Sequence, residues 1–172
     1  MKDFLQGKWF KHPLHPILVS LPTALWPAAL VFDILSHTVS DGNVMVRTSF
    51  CAILFGLLGA LLAAPTGLAD WWDIKREKPA WKLGIYHLVV NITTTVVWLV
   101  NLFLRLGPNF DAAEVQPLPL ALSAVGTVLL IAATYLGGLM VYDHGISIAR
   151  RSKKKWRGVA VAAHARVPEE KG

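Results

Sequence analysis

Four of the six histidines in this 172-residue chain, His12, His15, His87 and His144, stand near the ends of long apolar runs, and Asp70 and Asp143 stand beside them. A neutral imidazole ligates transition metals, and a neighbouring carboxylate can ligate too or hold the ring in one tautomer. Two chemistries fit this set. A transition metal would draw on His12, His15, Asp70, His87 and His144. Haem b would need two imidazoles on opposite faces of the porphyrin, His87 with His15 or His144, and with His12 as a further candidate. The same residues also suit a plain structural role with no cofactor, capping helix ends or pairing with Asp70 and Asp143.

The elements that must position them are four apolar runs, Ile17 to Leu35, Phe50 to Leu68, Leu83 to Phe103 and Leu118 to Tyr142. Each is long enough for a helix to cross a hydrocarbon core of about 30 Å. Asp33 is the only formal charge within them, so no charged stripe marks a soluble bundle. The spacing predicts an all-α, integral membrane four-helix bundle with up-down topology. Three domain segments follow: an N-terminal segment 1–16, a transmembrane domain 17–142 and a basic tail 143–172. Fifteen of the 17 Lys and Arg fall before the first run, between the second and third, or after the fourth; only Arg47 and Arg105 lie in the other two loops. Basic residues mark cytoplasmic segments, so both termini and the middle loop are expected in the cytoplasm. No cleavable leader is evident in the first 16 residues, and the first span is expected to direct its own insertion.

That placement accounts for the net charge of +6 without nucleic acid. The tail sequence RRSKKKWR suits anionic lipid headgroups. Trp71, Trp72, Trp81 and Trp156 read as anchors at the membrane interface. Asn43 to Ser49 and Gly107 to Pro117 read as short external turns, and no internal repeat stands out.

Polar residues inside apolar helices mark the faces turned toward other helices. In the first span His12, His15, Val19, Pro22, Trp26, Ala29, Asp33 and His37 form one stripe; in the third, His87, Asn91, Thr94, Trp98 and Asn101 do the same. Asp33 lies about 27 Å along the axis from His15 at 1.5 Å per residue, so it belongs to the other end, where with His37 it reads as a proton-relay fragment or, the favoured expectation, a one-turn pair near water. Gly56, Gly59, Gly137 and Gly138 permit close packing. Cys51 is the only cysteine, which excludes a disulfide framework, a covalently attached c-type haem and an iron–sulfur ligand set. No nucleophile elbow or phosphate loop occurs, so autonomous catalysis is not expected.

HPLHP, APTGLAD, YHLVVN and GGLMVYDHG, in that order, resemble a bacterial membrane family known as domain of unknown function 2231, from about His12 to Gly145. The resemblance implies a four-helix domain of the bacterial cytoplasmic (inner) membrane. It also implies an association with electron transfer, because members are sometimes joined to a Rieske iron–sulfur domain. The expected function is a redox-associated membrane subunit with a redox partner protein. Two alternatives stand beside it: a small transporter component, oligomeric and using Asp33, Asn91, Thr94, Asn101 and Thr127, or a structural or assembly subunit without cofactor. A homo-oligomer fits any of these.

Overall fold

The computed structural model describes residues 1–10, 12–146 and 162. Most of the basic tail, with Trp156 and His164, and Lys11 lie outside the described residues, and with them the proposed contact of the tail with anionic lipid. The order is a short α1 (Lys2–Leu5), a 3-10 turn (Lys8–Phe10), α2 (Leu14–Ser36), α3 (Gly42–Trp71), α4 (Pro79–Leu104), a second 3-10 turn (Gly107–Asp111) and α5 (Pro117–Tyr142). There is no strand among the described residues. Helices α2 to α5 are each long and apolar enough to cross a membrane. The expected all-α bundle of four long helices is the one observed.

Proline sets the helix starts. Pro79 and Pro117 occupy the first helical position, where the missing N–H costs nothing, and Pro16 lies in the first turn of α2. Pro22 and Pro27 lie inside α2, between them the Thr23 hydroxyl donates to the Val19 carbonyl at 2.8 Å. That bond reinforces the ladder next to the break; the carbonyls that Pro22 and Pro27 deprive of a helical donor are those of Leu18 and Thr23.

One boundary differs from the sequence expectation. Asn43 to Ser49 is no external turn; it forms the first turns of α3. Val46 and Ser49 are buried there, and a Cβ on Gly42 would collide with the Ser36 and Ala113 carbonyl oxygens. Arg47 is accommodated because it reaches outward, donating from Nε to Asp111 at 2.6 Å and lying over the Phe110 ring.

Helix α2 packs chiefly on α3, and α4 on α5, while α2 with α5 and α3 with α4 close the ring. Helices α2 and α4 are therefore diagonal partners, and their facing stripes meet on the bundle axis. Trp26 and Trp98 stack there at 5.4 Å between centroids, both buried. Ala29, Ala52, Ile53 and Leu130 complete this core. Outward faces carry exposed Leu61, Phe103, Val128 and Ile131, as a lipid-facing surface requires.

Candidate functional site

At one end of the axis His15 of α2 and His87 of α4 approach with ring centroids 6.5 Å apart and planes 85° apart. Each is oriented in the same way. His15 Nδ1 lies 3.0 Å from the Ala63 carbonyl oxygen, and His87 Nδ1 lies 3.0 Å from that of Ala133. A carbonyl only accepts, so each shared hydrogen sits on Nδ1 and each Nε2 is left as a lone-pair donor. The Asn91 amide, one turn along α4, lies 3.2 Å from His87 Nε2 and also donates to the His87 carbonyl at 2.8 Å. Glycines make room for both rings: a Cβ on Gly67 would stand 2.7 Å from His15 Cε1, and one on Gly137 would stand 3.0 Å from His87 Cε1. Thr66, after the internal Pro65, donates to the same Ala63 carbonyl at 2.6 Å.

Of the other expected ligands, Asp70 is half-buried near the end of α3, His12 is exposed before α2, and His144 is half-buried just beyond α5. Among the described residues no group of three or more His, Cys, Asp or Glu could hold a metal ion. The proposed set of His12, His15, Asp70, His87 and His144 therefore does not assemble as a metal centre. The five residues belong to one end of the bundle, and His15 and His87 approach each other on its axis.

At the opposite end lies a polar cluster that sequence reasoning misplaced. Asp33 does not pair with His37. It is fully buried and takes a two-pronged ion pair from Arg105, with Nη1 to Oδ1 at 2.8 Å and Nη2 to Oδ2 at 2.7 Å. Ser123 donates to Asp33 Oδ2 at 2.5 Å, Asn101 donates to Ser123 at 2.8 Å and accepts from Arg105 Nε at 2.9 Å, and Arg105 Nη1 donates to Ser49 at 3.2 Å. One residue or more from each of α2, α3 and α5 thus meets Arg105 at the end of α4. His37 instead pairs with Glu114 at 2.9 Å on the surface. The signal was present: Arg105 is the next four-residue step of the His87 to Asn101 stripe. Thr94 and Thr127 donate their hydroxyls to carbonyls of their own helices, Val90 and Ser123, at 2.8 Å each.

The N-terminal segment docks against the end of α3, on the same side of the bundle as the histidines. Gln6 donates to the Ala69 carbonyl at 3.0 Å and to Asp73 at 2.7 Å, and Lys2 pairs with Asp73 as well. These hydrogen bonds, Gln6 first and Lys2 second, hold the Asp73 carboxyl below its ordinary value of 3.8. A carboxyl whose pKa is depressed on docking stabilises the docked form above its undocked value and loses that contribution as pH falls through the docked value. The segment is expected to stay protected at neutral pH and to open on acidification below 3.8, with the pH dependence weakened in Asp73→Asn. Amide hydrogen exchange of residues 1–10 as a function of pH measures it.

The fold and its axial polar layers define an integral membrane four-helix protein whose inner face is polar at both ends. The chain belongs to the family DUF2231, a predicted membrane protein family, whose model matches residues 11–150. No curated protein and no solved structure matches it.

Proposed function

We propose that this protein is a redox-associated membrane subunit that holds haem b between His15 and His87. The observation that supports it is the axial pair itself: two imidazoles from diagonal helices, each with Nδ1 committed to a carbonyl and Nε2 carrying the lone pair that would ligate. Such an outer hydrogen bond is the usual way a ligating histidine is oriented and made more basic. The centroid separation of 6.5 Å is close to what two rings leave around a shared metal at bonds of about 2.0 Å. Two ligands suffice for haem, whereas a bare metal with mixed His and Asp ligands needs the third that the described residues do not supply.

The chain's own residues divide the work. His15 and His87 would hold the group, Gly67 and Gly137 keep their rings in place, and Asn91 must give up its contact with His87 Nε2 for the group to enter. Haem b bound there supplies a one-electron couple. The basic residues flanking this end support a cytoplasmic orientation in a bacterial inner membrane, where a redox partner protein would dock.

The reduced-minus-oxidised visible spectrum of the detergent-purified protein, expressed with adequate haem, tests the proposal. A sharp alpha band that disappears in His87→Ala is the expected result. A flat spectrum from a folded protein overturns it and leaves the histidine pair as a structural element of the bundle.

A further inference from the structure

Residues and contacts recur between the two halves of the bundle. On α2 and α4, His15 and Trp26 correspond to His87 and Trp98, eleven residues apart in each helix. On α3 and α5, Gly56, Ala63 and Gly67 correspond to Gly126, Ala133 and Gly137, again at identical spacing. The contacts correspond as well. His15 bonds to Ala63 as His87 bonds to Ala133, each at 3.0 Å. Gly67 lies under the His15 ring as Gly137 lies under His87, and Gly56 under Trp26 as Gly126 lies under Trp98. The two Trp rings and the two His rings then face one another across the axis. Residues that match by chance would not also share partners.

We propose that the bundle is a fused duplicate, hairpin α2–α3 repeated as α4–α5 about an approximate two-fold axis along the membrane normal, and that His15 and His87 form a symmetric ligand pair on that axis. Parallel repeats of this kind place binding sites at the repeat interface. The ligand class follows from the symmetry: a planar macrocycle with a central metal, which meets one Nε2 on each face. This part rests on the haem reading above; the duplication does not. The symmetry also excludes the other histidines from the pair, since the position matching His12 is Gly84 and the position matching His144 is Ile74.

The halves differ where they must. Asp33 and Arg105 are 72 residues apart, the same offset as His15 and His87, so they occupy equivalent positions. Two identical hairpins would bring Asp to Asp or Arg to Arg. Opposite charges pair one half with the other and oppose the pairing of either half with its own copy.

The test uses the full chain in detergent. Iron protoporphyrin IX is titrated into the wild type and into His15→Ala, His87→Ala, His12→Ala and His144→Ala. The expected result is a six-coordinate low-spin spectrum in the wild type, at least a tenfold loss of affinity in both His15→Ala and His87→Ala, and less than a twofold change in the other two. Binding that depends on only one of His15 and His87, or on His144, overturns the symmetric pair while leaving haem in place. Absence of binding in the wild type overturns the haem reading and the ligand class with it, and the duplication is then judged without ligand. Nitrogen-15 spectra of labelled histidine are expected to show His15 and His87 both protonated on Nδ1. The exchange variant Asp33→Arg with Arg105→Asp is expected to regain more than half of the melting temperature lost by the poorer single variant. An exchange no more stable than that single variant, or either ring protonated on Nε2, overturns the duplication.

Discussion

Arg105→Leu is expected to lower the stability of the folded bundle by about 3–5 kcal/mol, the cost of leaving one member of a buried ion pair without the other. Arg105 is 1% exposed and Asp33 is wholly buried, so neither charge can recover hydration by a small movement. Without the guanidinium, Asp33 keeps only the Ser123 hydroxyl, and Asn101 and Ser49 each lose a partner. Asp33→Leu should cost a similar amount, because the guanidinium then remains with neutral acceptors alone. The double variant with leucine at both positions should recover a large part of the loss, since a buried pair replaced by apolar groups no longer carries the desolvation penalty. Arg105→Lys should retain less than half of the wild-type contribution, because an ammonium cannot reproduce the two-pronged geometry or the Nε contact with Asn101. Equilibrium unfolding in a mild detergent, followed by tryptophan emission, measures all four. A loss under 1 kcal/mol in both single variants would mean that water or lipid headgroups reach this end of the bundle.

The second large effect concerns the tryptophan layer. Gly56→Val or Gly126→Val should destabilise the fold by about 1–3 kcal/mol through overpacking. Gly56 meets the Trp26 ring, Gly126 would place a Cβ 2.7 Å from Trp98 Nε1, and the two rings stack on one another, so neither indole can retreat. Gly138→Ala is the contrast within α5: its Cβ would find Tyr142 Cδ2 at 4.0 Å, an ordinary contact, and its effect should stay within about 0.5 kcal/mol. Thermal melts of the three variants in the same detergent compare them, and equal melting temperatures for Gly56→Val and Gly138→Ala would contradict the packing argument.

These outcomes bear on how much of the site could be read from residues alone. The stripe from His87 to Asn101 was legible because polar side chains at helical steps in an apolar run must face protein. Its end was missed because Arg105 falls at the helix terminus, where a basic residue also suits a loop. Asp33 was assigned to water and to His37 for the same reason: both lie at a helix end, and the distance between α2 and α4 is not encoded in either helix. The duplication escaped notice because it survives at a few positions, each meaningful only once its contact is known. At the histidine end, chain topology brings His12, His15, Asp70, His87 and His144 to one end of the bundle, but which of them meet is set by helix rotation, since a one-residue step along a helix turns a side chain through about 100°.

The number of long apolar helices and the proline-marked starts of α4 and α5 were determined by the sequence itself; the start of α3 at Gly42 was not. An apolar chain must close its backbone hydrogen bonds locally, proline marks where a helix can begin, and hydrocarbon thickness sets the length. Which residues of the inward stripes meet across the axis, His15 with His87, Trp26 with Trp98 and Asp33 with Arg105, was decided only in the tertiary structure. In a lipid-facing bundle the inner and outer surfaces are both apolar, so hydrophobic patterning carries little information about rotation; glycine clearances and a few polar pairs across the axis decide it.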